Sequence, residues 1–214
     1  MIRKMLVIAA AVAMPVSVIA ATAGTASAAT KVDASKYTVT CTGIAATAKF
    51  SPALTNAGGP ASTETTKIKG TASSCTVTPT VGGTPVTITG AKVSGTLTNA
   101  SSTHTCGGLA TATTESGALT VKWKSSPALA AGSSVASPTS VLGAPGADGH
   151  ATFGISFSGV TGSFTGTDAG ASSTNDAETA LPISSILTTC AKGLKSIAIV
   201  PDTNPGAGPA LHLG

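Results

Sequence analysis

The sequence predicts an all-β protein: a single β-sandwich of about seven to nine strands, immunoglobulin-like or a related Greek key, with a β-barrel as the alternative. Apolar and polar residues alternate in several short segments rich in Thr and Val, which is typical of half-buried strands. The chain also holds 25 glycines and 12 prolines, many of which lie between these segments as turn signals. Helix signals are scarce, and one short helix is predicted over 181–193, just before the last strand.

The strands are predicted from residues that share one face. In the first strand, Tyr37, Val39 and Cys41 alternate with threonines. The later strands lie at 65–72, 85–89, 91–98, 118–124, 150–158 and 194–200. The nearly continuous apolar run 194–200 is expected to be central and buried. Gly82 and Gly83 predict a hairpin turn at a sheet edge, and 125–148 is expected to be a long loop with one weak strand at 134–142.

Trp123, the only tryptophan, is either a binding platform for a sugar ring or a core residue. On a strand through 118–124 it shares a face with Leu119 and Val121, whereas Lys122 and Lys124 project from the other face. Alternation therefore predicts that Trp123 is buried. Lys67 and Lys69 form a similar alternating pair, which predicts another solvated strand face.

The first 28 residues have the pattern of a secretory signal peptide. Arg3 and Lys4 precede an apolar run from Met5 to Ala20, and Ala26-Ser27-Ala28 matches a cleavage site for export. The run is shorter than a membrane span needs, so no span is expected. The predicted organisation is therefore a signal peptide over 1–28, one sandwich domain over 29–200 and a flexible tail over 201–214.

Four cysteines remain after the predicted signal peptide, and an even number in an exported chain predicts two disulfides. Cys75 and Cys106 lie just beyond the ends of two strands expected to be neighbours, which predicts one bridge. Cys41 on the first strand and Cys190 before the last strand are predicted to form the other, because chain ends in domains are often close. No cofactor and no metal are predicted.

Charge excludes one class of partner. Only 9% of residues are charged, and removing Arg3 and Lys4 lowers the formal net charge from +4 to +2. Nucleic-acid binding requires a dense basic patch, so none is predicted.

Motifs for catalysis are absent from the sequence. Ser156 lacks the spacing of a nucleophile elbow, and a Ser-His-Asp set could draw on His104 and Asp148, but no pattern selects them. His150 is expected to lie in an exposed loop. The acids are scattered and mostly expected in loops. One cluster, formed by Asp168, Asn175, Asp176 and Glu178, offers oxygen atoms to calcium, yet a solvated turn is the preferred interpretation.

The arrangement of segments resembles a group of uncharacterised secreted β-rich proteins of actinobacteria. The segments that carry the resemblance are TVTCTG, AKFSPALT, IKGTASSC, ITGAKVSGTLT, LTVKWK, FSGVTGSFTGT and the closing C-x-x-GLKS. The resemblance implies export and a β-rich fold, and it implies no activity.

The resulting hypothesis is a secreted, non-enzymatic protein that is extracellular or loosely associated with the cell envelope and acts by surface contact or in a structural role. The alternative is a sandwich module that binds an envelope lipid or glycan in a cleft, and a hydrolase comes third. An apolar concave site with a few convergent polar groups would favour the binding module. A histidine within hydrogen-bonding reach of a serine or carboxylate in such a cleft would favour the enzyme.

Overall fold

The fold is all-β with one short α-helix. The computed structural model describes residues 30–35, 37–79, 83–110, 114–165 and 175–214, so the predicted signal peptide lies outside the described residues. The strands are β1 (Tyr37–Leu54), β2 (Ser62–Pro79), β3 (Thr87–Ser102), β4 (Thr114–Ser126), β5 (Ser133–Pro145), β6 (His150–Gly162), β7 (Asn175–Pro182), β8 (Leu194–Pro201) and β9 (Leu211–Leu213). A 3₁₀ helix covers Cys106–Ala110, and helix α1 covers Ile183–Cys190.

All nine strands belong to one antiparallel sheet. From β1 to β8, each strand pairs with the next strand in the sequence, and β8 pairs with the second half of β1. Since β1 also pairs with β2, the series of neighbours returns to its start, and the sheet folds over itself around an apolar interior. Strand β9 lies against the first half of β1, at residues 39–41, where β8 does not reach.

The all-β class, the number of strands and the helix before β8 confirm the sequence prediction. The connections differ from a Greek key, because sequence neighbours pair throughout β1–β8. The predicted long loop 125–148 is mostly structured, since β5 occupies Ser133–Pro145 between β4 and β6. The turn predicted at Gly82 and Gly83 falls between β2 and β3, which do pair, although Gly82 lies outside the described residues. The predicted edge position is wrong, because β2 also pairs with β1 and β3 also pairs with β4.

The predicted flexible tail, 201–214, is instead anchored. Leu211 and Leu213 are buried against β1, and their alternation with His212 is the pattern of a short strand. Two acids of β7 hold the connection that leads to β9. Glu178 accepts a hydrogen bond from the Thr203 hydroxyl at 3.2 Å, and Asp176 accepts one from the Gly208 amide at 2.5 Å.

The four cysteines form two disulfides, as predicted, but both pairings differ from the prediction. The bridges are Cys41–Cys75 and Cys106–Cys190. Cys41 lies directly opposite Cys75 in the β1–β2 hairpin, so neither is free to reach the partner that the sequence suggested. The second bridge joins the 3₁₀ helix to the last residue of α1.

The interior has two parts. One, which we call the filled half, packs around Trp123 and includes Ala34, Tyr37, Val39, Cys41, Ala72, Val86, Ala91, Val93, Val121, Leu129, Phe164, Leu211 and Leu213. The other, which we call the cavity half, includes Ala46, Ala48, Leu54, Ile68, Leu97, Cys106, Leu109, Leu119, Phe153, Ala177, Ile186, Cys190, Leu194, Ile197 and Ile199. Long strands such as β1 and β3 contribute to both parts.

Trp123 confirms the prediction that alternation made for it. The side chain is buried in the filled half, and its ring meets Phe164 edge-on with 5.0 Å between centroids. Its indole nitrogen donates a hydrogen bond to the Ser134 hydroxyl at 2.8 Å. Lys122 and Lys124 are exposed, as predicted. Trp123 is therefore not the sugar platform that its isolated position in the sequence suggested.

Candidate functional site

A cavity of about 440 Å³ lies within the cavity half. It exists because inward positions hold small side chains, notably Ala46 and Ala48 of β1 and Ala177 of β7. Around them the wall is largely apolar and comes from β1–β4 and β6–β9, with Leu109 of the 3₁₀ helix closing one part. The volume lies in the range of ligand-binding pockets in proteins.

The cavity reaches the surface beside the segment that follows β3. Among its lining residues only Ser101, Thr103 and Gly107 are exposed, whereas the apolar residues of the wall are buried or half-buried. The mouth is therefore polar and the interior apolar. This is the organisation expected of a site for a molecule with an apolar body.

A row of polar side chains crosses one wall of the cavity on three neighbouring strands. Glu64 of β2 pairs with Asn99 of β3. The next pair of strands sets Thr98 opposite Ser116, which brings Glu115 of β4 beside Asn99. Thr66 lies two residues after Glu64 and therefore on the same face. We call Glu64, Thr66, Asn99 and Glu115 the polar row, and all four line the cavity.

Burial dominates the electrostatics of the polar row. It raises the pKa of Glu115 to about 7, because an ionised carboxylate loses its hydration there, and the nearby charge of Glu64 raises the pKa further. The Thr66 hydroxyl lies beside Glu115, outside strict hydrogen-bond geometry, and partly lowers this pKa. The cavity therefore contains a carboxyl group that changes charge near neutral pH.

Glu64 belongs to a hydrogen-bonded chain that ends at the surface. Its carboxylate accepts a hydrogen bond from the Ser102 hydroxyl and lies 3.4 Å from Nδ1 of His104. The other ring nitrogen of His104, Nε2, is 2.6 Å from the hydroxyl of Ser62, which is exposed at the start of β2. His104 has a φ of 53°, which residues other than glycine rarely adopt. Serine, imidazole and carboxylate thus follow the order of a catalytic triad.

The other candidates from the sequence do not assemble into a site. Asp148 accepts a hydrogen bond from the backbone amide of His150, which lowers the pKa of Asp148, so it is not a partner of His104. His150 is half-buried rather than exposed, and Ser156 is half-buried on β6. Of the proposed calcium cluster, Asp168 lies outside the described residues, and Asp176 and Glu178 bind the chain that leads to β9. The described residues contain no group of three or more side chains suited to a metal ion.

Sequence reasoning missed the carboxyl groups of the polar row, although alternation contained the signal. Glu64 is four residues before Ile68, and Glu115 is four residues before Leu119, so each acid shares the inward face of its strand. The acids as a group were expected mostly in loops, and neither Glu64 nor Glu115 falls within the predicted strands 65–72 and 118–124.

Comparison with protein-family models, curated proteins and solved structures finds no match to this chain. The resemblance to secreted actinobacterial proteins therefore stays a prediction. In the described part of the chain, no helix is long and apolar enough to cross a membrane. Two disulfides indicate folding in an oxidising setting.

Proposed function

We propose that the protein is exported and binds a lipid or another molecule with an apolar body in its interior cavity. The cavity itself carries the proposal. Protein interiors are normally packed to crystal-like density, and an unfilled apolar space of about 440 Å³ forgoes many dispersion contacts. A ligand with an apolar body restores those contacts. Of the two leading hypotheses from the sequence, this feature favours the binding module over a protein that acts only through its surface.

A lipid fits this site better than a glycan. Sugar recognition usually relies on exposed aromatic rings, and the single tryptophan and single tyrosine, Trp123 and Tyr37, are both buried in the filled half. The cavity wall instead offers aliphatic side chains and the half-buried rings of Phe50 and Phe157. Export is supported by the pattern of the first 28 residues and by the two disulfides.

The proposal is tested by filling the cavity. Ala48 points into it, whereas Ala45 of the same strand is exposed. Binding of the neutral dye Nile red, followed by its fluorescence, should weaken at least 10-fold in Ala48→Phe and change less than 2-fold in Ala45→Phe. Cooperative thermal unfolding of both variants verifies that they fold. If Ala48→Phe does not fold, Ala48→Leu is used in its place. Failure of the wild-type protein to bind the dye, or equal binding by the two phenylalanine variants, would overturn the proposal.

The chain Ser62–His104–Glu64 favours hydrolysis of an ester at the surface beside the cavity as a second candidate function, since Ser62 pairs with Ser102, which lines the cavity. In that reaction Ser62 Oγ attacks the ester carbonyl while His104 Nε2 takes the hydroxyl proton and then gives it to the leaving alcohol. Water releases the acyl group from Ser62 in a second step of the same kind. Glu64 holds the ring in the required orientation through Nδ1.

Covalent labelling distinguishes this candidate from binding alone. A fluorophosphonate probe should modify Ser62, as mapped by peptide mass spectrometry, and His104→Gln should reduce labelling at least 100-fold while Nile red binding persists. Wild-type protein that binds the dye but takes up no probe would rule out the hydrolase and leave the binding function intact.

A further inference from the structure

The charges of this protein are divided between the cavity and the outer surface. Two carboxyl groups, Glu64 and Glu115, line the cavity, and none of its lining residues in the described structure is basic. Every lysine of the described ranges is exposed. A ligand with an anionic head, such as a fatty acid, therefore meets carboxyl groups and no counter-charge inside the cavity.

The two acids differ in the hydrogen-bond and ion-pair partners that the protein provides for their carboxyl groups. Glu64 has the Ser102 hydroxyl and the His104 ring as partners. Glu115 has no cationic partner among the described residues, whose single ion pair joins His104 and Glu64. A buried carboxylate without a counter-charge is costly, so Glu115 would gain most from a ligand that brings one.

A second group beside Glu115 also favours a ligand with hydrogen-bond donors. The Thr66 hydroxyl is buried and lines the cavity, and it makes no hydrogen bond of strict geometry, although it lies beside the Glu115 carboxyl. Buried polar groups without partners are rare in native proteins and call for an explanation such as a bound ligand. A head group with several N–H donors could bind the carboxylate of Glu115 and the oxygen of Thr66 together.

We infer that the ligand carries a protonated amine on its apolar body, and that Glu115 binds this ammonium group with help from Thr66 and the negative field of Glu64. The inference rests on the proposed function, because it concerns the head group of a molecule in the same cavity. An ammonium group has three donors and no acceptor, which matches the carboxyl and hydroxyl oxygen atoms of the polar row. The aliphatic wall then surrounds the rest of the molecule.

Three ligands with the same chain separate the effect of the head group from that of the apolar body. Dodecylamine, dodecanol and dodecanoate are tested at pH 8 for displacement of Nile red, each below the concentration at which it aggregates or separates from water. The amine should bind at least 10-fold more tightly than the alcohol, and the carboxylate should bind most weakly. Glu115→Gln should reduce amine affinity about 10-fold and change alcohol affinity less than 2-fold.

Glu178→Gln is the matched control, since Glu178 is also a buried acid but lies outside the cavity lining. It should leave the ratio of amine to alcohol affinity unchanged. Dodecanoate binding as tightly as dodecylamine, or an equal effect of Glu115→Gln on amine and alcohol, would overturn the inference while the binding function stands. If Nile red and all three ligands fail to bind, the proposed function is itself wrong and the inference falls with it.

Discussion

The filled half and the cavity half are built from many of the same strands, yet they solve the packing of the interior differently. The filled half places Tyr37, Trp123 and Phe164 at its centre, and their rings occupy the space between the strands. The cavity half has Ala46 and Ala48 at inward positions of β1, and a cavity of about 440 Å³ lies beside them. Packing and open space are therefore divided along the strands, and the cavity half stays open although Phe153 and several aliphatic side chains also line it.

Each half has its own disulfide, and removing either one should give the largest effect. Cys41–Cys75 lies in the hairpin that borders the filled half and spans 34 residues, and Cys106–Cys190 lies in the cavity half and spans 84. Loop-closure entropy predicts losses of about 4 kcal/mol and about 4.5 kcal/mol in the free energy of unfolding when each pair is replaced by alanine. Urea denaturation of the two double variants measures this. A loss below about 1 kcal/mol for either pair would contradict the entropic estimate.

Trp123→Ala should be the most damaging single substitution in the filled half. Deleting a buried aromatic ring leaves a cavity and costs about 3–5 kcal/mol in the free energy of unfolding. Lys122→Ala, on the opposite face of the same strand, should stay within about 0.5 kcal/mol of the wild type. Denaturation curves give both values, and wild-type tryptophan fluorescence that iodide quenches readily would show that the ring is not buried.

In the cavity half, Glu115 should make stability depend on pH. Its folded pKa of about 7 lies above the ordinary value of 4.5, so the folded protein binds more protons than the unfolded chain between these values. Stability contributed by this group is therefore present at low pH and is lost as pH rises from about 4.5 through about 7. Glu115→Gln should raise the free energy of unfolding by roughly 2–3 kcal/mol at pH 8 and remove this part of the slope. An unchanged slope in the variant would place the titration elsewhere.

Matched enlargements test whether the two halves differ in available space. Ala91→Leu in the filled half, opposite Trp123 on the neighbouring strand, should destabilise by about 1–3 kcal/mol through overpacking. Ala48→Leu in the cavity half should stabilise by about 1 kcal/mol, because the added side chain leaves water without displacing its neighbours. Thermal unfolding of the pair decides the comparison. Equal losses in both variants would show that the cavity half has no room to spare.

The sequence was sufficient to predict the buried face of several strands, since a period of two requires only local residues. Trp123 with Val121, and Tyr37 with Val39, were assigned to the interior in this way, and both assignments are confirmed. The run 194–200 is an exception: it was expected to be buried, but Lys195, Ser196 and Ala198 of β8 are exposed. Alternation does not identify the partner strand. The disulfide pairing was wrong for this reason, although a hairpin centred on Gly58 would have placed Cys41 opposite Cys75.

The cavity could not be predicted, because its volume is a small difference between the space that the strands enclose and the side chains that enter it. The sequence around Ala46 and Ala48 does not show whether a large side chain from another strand fills the space beside them. The chain Ser62–His104–Glu64 depends likewise on the register between β2 and β3, in which Ser62 lies opposite Ser102. Three residues spread over a long stretch of sequence carry no local pattern that marks them as neighbours.

The placement of β9 has a consequence for the order of folding. Residues 39–41 of β1 obtain their second neighbour only from Leu211–Leu213, and the other half of β1 obtains its second neighbour only from β8. One edge of β1 therefore stays unpaired until β8 and β9 have formed. Its free amide and carbonyl groups can pair with a strand of another chain in the meantime. Such distant pairing predicts slow folding. A chain cut before residue 211 should associate through this open edge, even if every other strand is in place.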